Sequence, residues 1–162
     1  MIASGVGFVA SKQQALKSTD PTSAGIGYLP SYTDFQSYDT ITLQLGEKNV
    51  VAELAVSSVE RVKGLSGRPT LADNEGLFFV FPHDSRHGIW MKDMRFAIDI
   101  IWLDHNLRIV DIAREVSPET FPKVFEPKGD SRYVLEVPHG FSDLASITIN
   151  TQVHITSVEQ KQ

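Results

Sequence analysis

The sequence predicts an all-β domain: an antiparallel β-sandwich or jelly-roll-like barrel with one or two short helices, behind an extended N-terminal arm. Three observations carry this prediction. Composition shifts near residue 39, from a Gly/Ser/Thr-rich stretch to apolar–polar alternation. Roughly eight or nine short apolar stretches then follow, each bounded by turn residues, as in sandwiches and barrels. Regular strand–helix alternation, the mark of a parallel sheet, is missing. The chain has 162 residues, 41% of them apolar and 22% charged, which suits one domain with a real core and argues against wholesale disorder.

Residues 1–38 hold four glycines, six serines, three threonines and two prolines, too little apolar surface to order themselves. They also carry Phe8, Tyr28, Tyr32, Phe35 and Tyr38, aromatic types that favour interfaces. The expectation is an arm that is flexible alone and ordered by a partner. From 39 to 158 the pattern is that of a single β domain, with 159–162 as a tail. Ile41, Leu43 and Leu45 alternate with polar residues, G-E-K-N supplies a turn, and Val50, Ala52, Leu54 and Val56 alternate again. Ser57-x-x-Glu60 is a capping box, and Gly64 closes a helix of one to two turns. Gly76 to Phe81 reads as a strand buried on both faces. Strands follow at 89–92, 98–103 and 107–113, with Asp104-His105-Asn106 turning between the last two. Prolines 118, 122 and 127 mark an irregular loop, strands recur at 133–137 and 153–158, and a helical turn is predicted over 142–145. Phe78, Val80, Trp90, Ile100, Trp102 and Leu135 are the predicted core; both tryptophans read as core rather than as sugar platforms.

The net charge of −5 is uneven: −3 over residues 1–60, +2 over 61–95 and −4 over 96–162. A basic island in an acidic chain suits a local anionic contact and no nucleic-acid partner, which would need a broader basic face. No apolar run is long enough to span a bilayer, so no membrane span is expected. The N-terminus lacks the basic stretch of a signal peptide, its first positive charge being Lys12. With no cysteine, thiolate metal sites, thiol nucleophiles and disulfides are excluded.

The densest signals lie in Arg61–Arg68 (R-V-K-G-L-S-G-R), 75–82 (E-G-L-F-F-V-F-P), 90–104 (W-M-K-D-M-R-F-A-I-D-I-I-W-L-D) and 132–140 (R-Y-V-L-E-V-P-H-G). Over residues about 50 to 155 the chain resembles the domain-of-unknown-function 192 family. The resemblance implies a compact, mostly antiparallel β-sandwich or jelly-roll-like barrel, without a settled activity. It singles out Arg61, Arg68, Lys92, Asp93, Asp99 and Glu136 as binding candidates. Two departures stand out: Ala97 replaces a common proline, and S-I-T-I-N-T at 146–151 replaces a common Gly-Ile-x-x-Gly-Asp turn.

Arg61 and Arg68 flank Gly64-Leu65-Ser66-Gly67, where backbone amides and a guanidinium suit a carboxylate or phosphate. The competing and favoured reading is a network of internal ion pairs, with Asp99, set between isoleucines, buried against an Arg or Lys. His83 and His87 are four apart and Asp84 offers a third ligand, but Pro82 and Gly88 make the segment a loop, so no metal is assigned. Ser66 lacks the G-x-S-x-G frame of a nucleophile elbow, and the loop lacks the Lys-Ser/Thr of a phosphate-binding P-loop. No catalytic residue and no cofactor is assigned.

Three functions compete. The favoured one is a structural module of a larger assembly, such as a virion decoration, neck or tail component, which holds other protein subunits through its arm. The alternatives are a small-anion-binding domain of the cell envelope (periplasm or cell surface) and an uncharacterised hydrolase.

Overall fold

Alternating apolar side chains between Tyr38 and Ala55 lay down two strands, and the sheet grows from their hairpin. In the computed structural model, which describes residues 29–161, β1 (Tyr38–Leu45) and β2 (Lys48–Ala55) pair antiparallel, with Leu45 opposite Lys48. Ile41, Leu43, Leu45, Val50 and Ala52 all bury on one face, as a period of two requires. The chain then crosses through α2 (Ser58–Lys63) to β3 (Glu75–Ser85), which runs parallel to β2. This is the one parallel pair in a main sheet that is otherwise antiparallel, as expected, so the sheet is mixed. One short helix between residues 56 and 74 is crossover enough for a parallel pair, and it leaves no repeating strand–helix pattern in the sequence.

After the two-residue β4 (Ile89–Trp90) come β5 (Ile98–Leu103), β6 (Ile109–Val116), a 3-10 turn at Pro118–Thr120 and the short β7 (Val124–Phe125). β8 (Ser131–Pro138), α3 (Phe141–Leu144) and β9 (Val153–Gln160) complete the chain. The main sheet has the order β6-β5-β8-β3-β2-β1-β9, and β4 and β7 form a separate ribbon. β5 is buried at every position because it lies between β6 and β8 with both faces covered.

The protein is mostly β, and its mixed sheet is barrel-like without closing. Its outer edges approach at one end, where Arg108 bridges Gln152 and the Ile109 and Val153 amides donate to Thr151 and Leu107 carbonyls. Inside the curl, one core gathers Phe78, Val80, Ile101, Leu103, Leu135 and Val137 with β1 and β2. Outside, a second core of Leu77, Phe79, Ile98, Ile100, Trp102 and Val134 is covered by Leu65, Ile89 and Met91.

The first helix changes the picture of the arm. α1 (Tyr32–Phe35) opens with a complete Ser31/Asp34 capping box, and Phe35 is fully buried. The Phe35 ring lies 6.1 Å from Phe78, 5.8 Å from Tyr133 and 6.3 Å from Tyr38. The Tyr32 hydroxyl donates to the Val56 carbonyl at 3.2 Å. Tyr32, Phe35 and Tyr38 are thus held by the domain itself, and the expected boundary after residue 38 is corrected. A Ser/Thr/Tyr-rich stretch carries few core residues, yet one Phe and one Tyr suffice to anchor a single turn. Phe8 and Tyr28 lie outside the described residues. The expected tail at 159–162 also shortens, since β9 runs to Gln160 and the Lys161 amide donates to the Ser37 carbonyl.

Five of the six predicted core residues are at most 1% exposed, but Trp90 is 46% exposed. β4 pairs only with β7, at the surface, and the inward positions of its run belong to Ile89 and Met91.

Candidate functional site

Local capping aims α2 at the sheet. The Ser57 hydroxyl accepts from the Glu60 amide (3.2 Å), and the Glu60 carboxylate accepts from the amides of Ser57 (2.7 Å) and Val56 (3.0 Å). These bonds, the Ser57 amide first, hold the Glu60 carboxyl below its usual range. One turn on, Arg61 points back over β3. Its guanidinium donates to the Val56 carbonyl and to the Val80 carbonyl at 3.1 Å, and lies 5.0 Å from the Phe81 ring centre. His87 stacks on the same ring at 3.5 Å, and burial holds its imidazole below the usual range.

Gly64, at φ +51°, ends the helix in a conformation that side chains resist, and the chain turns into the Gly64–Arg68 loop. That loop is stitched to the Lys92–Asp93 turn: the Ser66 hydroxyl donates to the Lys92 carbonyl (2.8 Å) and the Gly67 amide to the Asp93 carbonyl (2.9 Å).

Between these parts lies a recess of about 60 Å³, room for a few water-sized groups. Arg61, Lys63 and Gly64–Ser66 line it together with Gly88, Ile89 and Trp90, and with Phe79 and the buried Glu136 of the sheet. Glu136 sits on β8 opposite Leu77 and Ile100, where the alternation calls for an apolar side chain. It is 4% exposed, and its buried Oε2 has no hydrogen-bond partner. Burial pushes its carboxyl up to about 8, with the Arg68 charge offsetting part of that effect. At neutral pH the group is largely a neutral acid, able to donate one hydrogen bond and accept another.

Arg68 does not join Glu136. It makes a two-pronged contact with Glu53, at 2.7 and 2.5 Å, which holds the Glu53 carboxyl below its usual range.

The six predicted site residues therefore divide. Arg61 and Glu136 line the recess, Arg68 is paired beside it, and Lys92 and Asp93 brace its loop through their backbone carbonyls. Asp99 is elsewhere. It faces the inside of the curl, with Ile101 and Leu103, whereas Glu136 faces the outer core with Val134. The expected Arg or Lys partner is replaced by three amides: Oδ1 accepts from Glu115 (2.9 Å) and Gly140 (3.3 Å), Oδ2 from Ser142 (2.9 Å). Backbone N–H groups satisfy both oxygens of the buried side chain, so this aspartate caps α3 and holds Glu115 of β6 at its φ of +51°.

His83 departs from the expectation of a plain loop, and His87 keeps to it. β3 extends through His83, and the His87 ring contacts the His83 carbonyl at 3.0 Å. Among the described residues no group of three His, Cys, Asp or Glu side chains is placed to hold a metal.

Sequence reasoning missed the rim of the recess. Val62 is 73% exposed, Phe121 44% and Val124 49%. Trp90 meets Phe121 edge-on at 5.9 Å and faces Val124 across the β4–β7 ribbon. A Cβ at Gly88 would lie 2.6 Å from Val124 Cγ1, so glycine is what leaves room for the Val124 side chain there. Lys92 Nζ lies 5.9 Å from the Trp90 ring centre and Lys123 Nζ 4.5 Å from that of Phe125. The exposure of Val62 was legible from the capping box, which fixes the helix phase; the meeting of residues 62, 90, 121 and 124 was not.

The comparisons with known proteins agree with this architecture. A family profile, DUF192, "Uncharacterized ACR", matches residues 41–155. The chain is 31% identical over 103 residues to a UPF0127 protein of Thermococcus sibiricus, covering 62% of this chain and 63% of that relative. It thus spans just under two thirds of that relative's length. A UPF0127 protein of Pyrococcus horikoshii is 32% identical over 96 residues, covering 56% of this chain and 74% of its own. A crystal structure from Sinorhizobium meliloti 1021 superposes with a TM-score of 0.69 at 22% identity, covering 74% of this chain and 95% of that one. That likeness concerns the fold alone. A protein of unknown function from Novosphingobium aromaticivorans gives 0.65 at 25% identity, with coverages of 82% and 94%.

Proposed function

The chain belongs to the DUF192 family, and on that premise we propose that its domain is a non-enzymatic binding module that takes a small anion into the recess over Glu136. The observation that carries this reading is the buried, unpartnered Oε2 of Glu136 in a recess whose wall includes Arg61 and Lys63. A buried polar atom without a partner costs about 1–3 kcal/mol, which a ligand oxygen would recover. Because burial keeps the acid neutral, it presents a hydroxyl donor rather than a repelling charge. Arg61 supplies the positive charge on a guanidinium already oriented by two carbonyls. The family gives no competing activity, and the anion reading uses the basic island that the charge distribution isolates.

Titrating acetate and inorganic phosphate into labelled protein at neutral pH tests the proposal. The Gly64, Leu65 and Ser66 amide signals should shift saturably, with a dissociation constant on the order of millimolar. Lys63→Ala should weaken binding several-fold with the melting temperature unchanged, since its side chain is exposed. Glu136→Ala should abolish it. Signals that stay put for both anions overturn the proposal.

A further inference from the structure

Resting on that reading, we infer that the anion carries an apolar body: the site takes a small monocarboxylate whose head enters the recess and whose tail lies over Val62, Trp90, Phe121 and Val124. Apolar side chains this exposed are unremarkable singly but informative as a contiguous group beside a polar recess. Here the grouping is fixed by contacts. Val62 and Trp90 both line the recess, Phe121 packs on Trp90, and Val124 is Trp90's cross-strand partner.

Charge selects the head. Arg61 and Lys63 stand at the recess, and Lys92 and Lys123 sit over aromatic rings of the same ribbon. Glu126 lies against Gly88, but four cations outweigh it, and an apolar platform with that net positive fringe complements an amphipathic anion and disfavours an amphipathic cation. Size suits the head as well, because about 60 Å³ holds a few water-sized groups, enough for a carboxylate. The tail must leave past Trp90, over the exposed side chains of Val62, Phe121 and Val124.

Calorimetric titration of the intact chain with acetate, hexanoate, 1-hexanol and hexylammonium separates the parts of this inference. Covering about half of the four added methylenes should make hexanoate about 10-fold tighter than acetate. Hexanol and hexylammonium should bind at least about 10-fold more weakly than hexanoate, as they lack the charge contact. Phe121→Ala should erase most of the hexanoate gain, with acetate affinity measured on the same protein as the internal reference. Acetate and hexanoate binding equally would overturn the apolar-tail inference and leave the anion site standing. Binding of neither acid would overturn both. Hexanol or hexylammonium matching hexanoate would overturn the carboxylate assignment. A hexanoate gain that persists in Phe121→Ala would overturn the placement of the tail.

Discussion

Glu136 is a carboxyl group occupying a position that strand alternation reserves for a hydrocarbon, and its titration should be visible in the stability of the whole protein. Its folded-state value, about 8, lies above the 4.5 of an unperturbed glutamate. The folded protein therefore keeps a proton that the unfolded chain releases. Stability should fall as pH rises from 4.5 to 8 and level off above, by roughly 5 kcal/mol if the whole shift is expressed. Urea unfolding of Glu136→Gln across that window should show the slope removed and the variant more stable than the parent at pH 8. Glu53 and Glu60 act in the opposite sense: their carboxyls are held low, so their contribution is present above 4.5 and is lost as pH falls through the depressed values. Asp99 makes a second residue-scale test. Asp99→Ala leaves three amides without their acceptor, the Ser142 amide among them fully buried, and should cost about 3 kcal/mol in chemical denaturation. Asn should help little, because its NH2 would face either the Ser142 amide or the two donors on the other oxygen. The sequence disclosed that Asp99 is buried, since isoleucines flank it. It did not disclose the partners, because residues 115, 140 and 142 offer backbone N–H groups, which every residue but proline has.

At the scale of elements, α2 is the most legible piece and the one on which the recess depends. Its capping box and terminal glycine stand in the sequence as they stand in the fold, because both act within four residues. Ser57→Ala should cost about 1 kcal/mol, and it should also weaken acetate binding, since the first turn sets the direction of Arg61. A thermal melt and the acetate titration on one variant check both effects. The paired strands β1, β2, β5 and β8 were legible for a similar reason: a period of two marks the first two, each with one covered face, and a short continuous apolar run marks the last two, covered on both. β4 was misleading, because I-W-M-K reads as a buried run although the element is two residues at the surface. Trp90→Ala should accordingly cost well under the roughly 3–5 kcal/mol of a buried aromatic. The parallel step from β2 to β3 could not be read locally, since strand direction is settled by where the crossover lands.

For the molecule as a whole, the composition shift near residue 39 marks a chemical boundary and not a mechanical one. Phe35→Ala should lower stability by about 3–5 kcal/mol, and truncation before residue 39 should depress the melting temperature by roughly 10 °C or more. The pairing of β1 with β9 has a kinetic consequence. Thr40 meets Glu159 across 119 positions of the chain, with Tyr38 opposite Gln160 beyond it. Among the described residues the first strand must wait for the last, and loop-closure entropy makes such distant partners late to join. Refolding should therefore be slow for the domain's size. A circular permutant that links residue 161 to residue 29 through a short flexible bridge, reopened at Gly129, would turn this slowest contact into a neighbouring one. Stopped-flow measurements should find it refolding faster than the parent at little loss of equilibrium stability.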